Sequence, residues 1–191
     1  MKKLVHFKIE SKGVVSGCFK QLGINSFNAA SQFIATLPYR RNENKNNICC
    51  VLDEMCGTCS TKHATLRKLA LENNRPQIKL VLGIFKMDAA YEHRIKNTLQ
   101  KYSLNYMPEA HNYLKYEDCY LDFTRPDSSY LNLKNKLFTE TEIEYDEVAE
   151  QKTKIHKEFL AGWLEKGNIR YGLDEIWEIR EECIAAMQKE I

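Results

Sequence analysis

Cys56 and Cys59 stand three residues apart in the run "VLDEMCGTCSTKHATLRKLALENN" (Val51–Asn74), just ahead of a helical pattern. That spacing opens three chemistries: a metal clamp, a thiol–disulfide couple, or one nucleophilic thiolate with a neighbour. A zinc site would have to draw on Cys49, Cys50 and His63 as well. Structural zinc usually joins two separated ligand pairs, and the second pair here would be two adjacent cysteines. A thioredoxin-like couple needs its CxxC at a strand-to-helix junction, which "CCVLDEMCGTC" could supply. A nucleophile instead needs a base to move its proton and a carboxylate to orient that base. The choice therefore depends on what lies about fifty residues downstream.

There, "PEAHNYLKYEDCYLDFTRPD" (Pro108–Asp127) reads as two strands around a Glu117–Asp118 turn. A two-residue turn sets Tyr116 opposite Cys119, Tyr113 opposite Asp122 and His111 opposite Thr124. Side chains alternate across a strand. Asn112, Leu114, Tyr116, Cys119, Leu121 and Phe123 then form a face fit for a core. His111, Tyr113, Lys115, Tyr120, Asp122 and Thr124 form the other, which by composition is polar. On it His111 and Asp122 are diagonal neighbours, within reach of a carboxylate–imidazole contact. Without a thiol to serve, the pair would read as an ordinary His and Asp on a wet sheet face.

Cys59 supplies that thiol. At a helix start, near a histidine, its thiolate is favoured, and its own amide, at the positive end of the helix dipole, can donate to a developing oxyanion. His63 shares the inward stripe Cys59–His63–Leu66–Ala70. It reads as a packed histidine, with a second base as the alternative. Glu54 and Glu109 flank the site and read as solvated.

Gly57–Thr58–Cys59, then an apolar strand, then His111–Asn112–Tyr113 and Asp122–Phe123–Thr124 resemble the motifs of the transglutaminase-like superfamily. These are a Gly-x-Cys opening a helix, a His opening a strand, and a D-x-T on the next strand. The resemblance spans roughly Cys49 to Pro126. It implies a small bacterial-type single-domain member with an α+β, papain-like cysteine proteinase core. In that core the Cys-bearing helix packs on an antiparallel sheet carrying His and Asp. Cys59 would be the nucleophile, His111 the general base and acid, and Asp122 the orienting carboxylate. Accessory roles would fall to Cys56, as a reversible disulfide partner of Cys59, and to His63, Tyr39 and Tyr113. Tyr39 would be the second oxyanion donor, and Tyr113 stands where the family often has Trp. The implied chemistry is thiol-dependent acyl transfer or hydrolysis on a peptide or other amide-bearing substrate, with no cofactor and no metal. The alternatives are a binding protein that kept the fold and lost the chemistry, and a redox or zinc protein built on the CxxC.

The elements that must position these residues are legible in part. "INSFNAASQFIATL" puts Phe27, Ala30, Ile34 and Leu37 on one helical stripe. "LPYRRNENKNN" is a polar loop. The helix after Cys59 buries Leu66, Leu69 and Ala70, can be capped by Thr58 or Ser60, and ends at Asn73, Asn74 and Pro76. "IKLVLGIFKM" (Ile78–Met87) reads as a central strand, Leu4–Ile9 as another, and "AAYEHRIKNTLQKY" as a helix or an irregular excursion. Two helices close the chain. One spans about Tyr145–Lys166, with Val148, Ile155, Phe159 and Trp163 on a face; the other spans about Asp174–Lys189, with Ile176, Ile179, Cys183 and Met187. Their charged faces read as solvated.

At 191 residues the chain can bury a full core as a single domain, residues 1–191. Its net charge of +2, from 28 basic and 26 acidic residues of mixed order, lacks the basic stripe of a nucleic-acid binder. No apolar run approaches the roughly twenty residues of a membrane span, and "MKKLVHFKIESKG" is a poor export signal. Seven cysteines, an odd number, then point to free thiols in a reducing cytoplasm.

Overall fold

The apolar run Ile78–Met87 forms β1, one of the two inner strands of a four-stranded antiparallel sheet. On one side β1 pairs with β2 (Met107–Tyr116), and on the other with β4 (Leu137–Ile143). The short β3 (Cys119–Leu121) closes the order β3-β2-β1-β4. The computed structural model describes residues 5–188, which form an α+β fold. The β2–β3 hairpin has the register that a two-residue turn dictates: Tyr116 opposite Cys119, Lys115 opposite Tyr120, and Leu114 opposite Leu121.

One face of the sheet carries Leu80, Leu82, Ile84, Ala110 and Leu114 into the larger core. Against it packs α4 (Cys59–Glu72), and on α4 pack α1 (Val14–Gln21) and α2 (Phe27–Thr36). The stripe Phe27, Ala30, Ile34 and Leu37 is buried there, as are Leu66, Leu69 and Ala70. Just before α4, Gly57 has no room for a side chain. A Cβ would fall 2.9 Å from Thr61 Oγ1 and 3.0 Å from Val51 Cγ2.

The opposite face is not wet. Val81, Phe85, Met107 and Tyr113 form a second core with Leu160 and Leu164 of α7 (Glu150–Lys166) and Ile176, Ile179 and Cys183 of α8 (Leu173–Gln188). Composition misled at this point because Tyr113, although it carries a hydroxyl, is fully buried. Its oxygen finds Glu140 of β4 across Gly83, where a Cβ would come within 2.9 Å of that oxygen.

Other expectations need correction. Residues 5–9 form no strand; Lys8 makes a single bridge to Ser26, and Leu4 lies outside the described residues. The 89–102 stretch holds a 3-10 turn (His93–Ile95) followed by α5 (Lys96–Lys101). Asp122 lies one residue past β3 rather than in a strand. Helix α7 starts at Glu150, not near Tyr145, and buries His156, Leu160 and Leu164. Val148 precedes the helix and packs into the first core. Helix α8 is described to Gln188, so Lys189 lies outside the described residues. The short α3 (Cys50–Asp53) and α6 (Leu131–Lys134) carry no periodic signal long enough to read. Among the described residues, no helix is long and apolar enough to cross a membrane.

Candidate active site

The site forms where the hairpin runs out. Strand β2 has ten residues and β3 only three. Backbone groups alternate sides along a strand, so the turn aims the amides of Tyr116, Leu114 and Asn112 toward β3. β3 stops at Leu121, opposite Leu114, which leaves the Asn112 amide without a strand partner. The start of α4 fills that gap, and the Asn112 amide hydrogen-bonds the sulfur of Cys59.

Cys59 is the first residue of α4, behind the N-cap Thr58. The Thr58 amide donates to the Thr61 hydroxyl at 3.0 Å, which shapes the first turn. The Cys59 amide is among the helix-opening N–H groups that have no intrahelical acceptor.

Asp122 is placed by tethers from the same helix. Lys62, fully buried, donates to the Leu37 carbonyl at 2.5 Å and to the Thr124 carbonyl at 2.8 Å. Burial and the nearby Arg125 charge pull its ammonium down to about 8. His63 reaches the Cys59 carbonyl through Nδ1 at 2.7 Å and accepts the Phe123 amide on Nε2 at 2.8 Å. Because Nε2 accepts, Nδ1 carries the proton and donates. Burial lowers His63 to about 4. With both nitrogens committed, His63 is a tie between α4 and the Asp122 segment, not a second base.

Asp122 Oδ2 lies 2.9 Å from His111 Nε2, and its Oδ1 accepts the Thr124 amide at 3.0 Å. Burial would raise the carboxyl, but His111 and the hydrogen bonds hold it far below its ordinary value. Asp122 occupies Nε2, so the hydrogen bond between His111 and Cys59 uses Nδ1. Burial alone would lower His111; the charges of Asp122 and the Cys59 thiolate raise it to about 10. For Cys59, burial would raise the thiol. The charges of Lys152 and His111, with hydrogen bonds from His111 and the Asn112 amide, bring it down to about 5. Both shifts, the thiol down and the imidazole up, favour a thiolate–imidazolium pair.

The sequence did not reveal Lys152. Its Nζ lies 3.7 Å from Cys59 Sγ and 2.8 Å from Ser60 Oγ. Ser60 in turn donates to Asn112 Oδ1 at 3.1 Å, and Asn112 Nδ2 donates to the Val81 carbonyl at 3.2 Å. On α7 this lysine is one polar residue among many, and only the tertiary fold turns it inward. Glu109 is likewise not solvated. Arg180 of α8 holds it with two hydrogen bonds, Nε to Oε2 at 2.7 Å and Nη2 to Oε1. Burial would raise Glu109, but the guanidinium brings it to about 2. Glu54 accepts from Asn42 Nδ2 at 3.2 Å and from the Glu43 amide at 3.1 Å.

The remaining candidates separate clearly. Cys56 is buried with its Sγ 3.4 Å from Arg40 Nε, and all seven cysteines are free thiols, so no bridge joins it to Cys59. Among the described residues no three His, Cys, Asp or Glu side chains converge as metal ligands. The CxxC follows helix α3 rather than a strand of the sheet, and its Gly57 makes only an isolated parallel bridge to Tyr39. Tyr113 packs 6.1 Å from the His111 ring and spends its hydroxyl on Glu140. Tyr39 lines the cavities on both sides of Cys59. Burial and the thiolate raise its phenol well above the ordinary value, so it stays a donor.

Cys59, His111 and Asp122 all line a cavity of about 480 Å³. Thr124 lines it too, and its buried Oγ1 has no hydrogen-bond partner among the described residues. No family model matches the chain, and no curated protein or solved structure matches it either.

Proposed function

We propose that this chain is a small cysteine-dependent acyl-transfer enzyme with a transglutaminase-like, papain-like core, acting on peptide or other amide-bearing substrates. One observation carries the reading. Cys59, at the start of a buried helix, shares one cavity with His111, which Asp122 holds at 2.9 Å, while Lys152 Nζ lies 3.7 Å from the sulfur, and these charges bring the thiol down to about 5. A structural cysteine buried among apolar groups would be pushed the other way.

The Cys59 thiolate attacks the substrate carbonyl carbon. A C–S bond forms, and the C=O π pair moves onto oxygen, toward the Cys59 amide. The tetrahedral adduct re-forms its carbonyl and breaks the C–N bond. The departing amine takes the Nδ1 proton of His111, leaving a thioester and a neutral imidazole. Water, the default acceptor, then attacks the thioester as His111 accepts its proton. Collapse releases the acid and restores the thiolate–imidazolium pair. Asp122 holds the Nε2–H throughout and keeps Nδ1 aimed at the sulfur. Seven free thiols accord with a reducing, cytoplasmic setting.

The test is to trap the thioester. Purified chain is incubated with activated acyl esters, quenched in acid and mapped by mass spectrometry. The expected result is an acyl mass on Cys59 that vanishes in Cys59→Ala. Ester turnover that survives in Cys59→Ala with no adduct would overturn the assignment.

A further inference from the structure

Cys59 divides a cleft whose two sides differ in charge. The wider cavity, about 480 Å³, has apolar walls from Phe85, Met87 and Tyr91. The smaller, about 180 Å³, lies between the start of α4 and helices α7 and α8, and gathers Arg41, Lys45, Lys152 and Arg180 against Glu109 and Glu181. Arg180 pairs with both glutamates, and Arg41 pairs with Glu181 at 2.6 Å. The two arginines and two glutamates therefore offset one another. That leaves Lys45 and Lys152, neither of which pairs with a carboxylate among the described residues.

Lys152 faces the thiolate in the resting site, at 3.7 Å. That balance disappears once the sulfur is acylated, because a thioester is neutral. Lys152 and the positive end of α4 would then face an uncharged sulfur, with the exposed Lys45 on the wall of the same cavity. Burial and the charges of Arg41 and Lys152 already lower Lys45, a strain that a bound anion would relieve.

From this we infer that the smaller cavity is a carboxylate subsite, and that Lys45 and Lys152 select acyl substrates bearing a carboxylate next to the scissile bond. The inference builds on the nucleophile reading of Cys59. The volume suits a single compact group, such as an acidic side chain or a chain-terminal carboxylate, and the remainder of the substrate lies in the wider cavity.

Two alkylating probes of nearly equal size, iodoacetate and iodoacetamide, separate the subsite from the nucleophile. Against an ordinary thiolate the anionic probe is the slower, because like charges repel. At Cys59 the order is expected to reverse, relative to the same chain unfolded in urea. Lys45→Gln should lower the iodoacetate-to-iodoacetamide rate ratio by roughly tenfold, the effect of losing one close charge partner, and Lys45→Arg should retain it. Lys45 is the residue to vary because Lys152 also acts on the sulfur directly.

Protection of Cys59 from iodoacetate by acetylglutamate amide assigns an acidic side chain. Protection by acetylalanine assigns a chain terminus. No protection by either overturns the subsite. So does rapid iodoacetamide labelling of Cys59 with the rate ratio of an unfolded thiol. Slow iodoacetamide labelling overturns the nucleophile reading itself, and the subsite with it.

Discussion

Cys59 and the pair Cys49–Cys50 lie in the same half of the molecule, and all three are buried, at 4%, 5% and 2% exposure. Their acidities diverge. Cys50 is pushed up to about 11 by burial and then by the carboxylate of Glu54. Cys49 is pushed up to about 12 by burial and by the Cys18 sulfur, 3.1 Å away. Cys59 falls to about 5, although burial is the largest influence on it too. The two histidines beside it repeat the lesson: His63 drops to about 4, while His111 rises to about 10. Burial disfavours charge everywhere. What reverses the outcome at Cys59 and His111 is that each is buried against opposite charge, with Lys152 and Asp122 completing the set.

The variant that should cut deepest is Asp122→Asn. An amide in place of the carboxylate removes the charge that raises His111 and invites the wrong imidazole tautomer. Thioester formation is expected to slow by roughly 10³-fold, measured as the pre-steady-state acylation rate. A slowing of less than tenfold would mean that Asp122 does not orient His111.

The histidine contrast predicts a pH dependence of stability. The folded value of His63, about 4, lies below its unfolded value of 6.5. The unfolded chain therefore binds more protons, and stability is lost as pH falls from 6.5 toward 4. At 1.36 kcal/mol per unit this amounts to about 3 kcal/mol. Above 6.5 two slopes oppose: raised His111 loses its contribution as pH climbs toward 10, while depressed Cys59 gains one up to its unfolded value of 9. Denaturant titrations of wild type and His63→Asn at pH 7 and 4.5 check the sign. The acid slope should flatten in the variant; an unchanged slope would count against a buried neutral His63.

Lys152→Met moves Cys59 toward the behaviour of Cys49 and Cys50. Its thiol should rise by roughly one unit, visible as slower labelling below pH 6. Glu54→Gln works from the other side, lowering Cys50 by a fraction of a unit. That is the smallest effect, and it is read from the alkylation rate of Cys50 near pH 9.

How much of this the sequence disclosed follows from range. The hairpin register was legible because a two-residue turn fixes it locally, and with it the neighbourhood of His111 and Asp122. The start of α4 was legible because Thr58 and the apolar stripe are local signals. Lys152, Glu109 and Arg180 were not, because an inward-facing charge on an amphipathic element looks solvated until its partner, 71 residues away for Glu109, is known. The same blindness made the Tyr113 face look wet. Residues 5–9 carried alternation enough for a strand but met only Ser26 as a pairing partner. His63 was readable as packed from its stripe, though its tether to Phe123 was not.

The most direct test of the thiolate–imidazolium pair is the rate of iodoacetamide labelling of each cysteine between pH 4 and 10, in wild type and His111→Ala. Cys59 should react alone at pH 6, with a half-point near 5, and should lose that reactivity by roughly a hundredfold in His111→Ala as its thiol returns toward the ordinary range. A Cys59 that titrates like a free thiol near 8.5, or one indifferent to the loss of His111, would contradict the account.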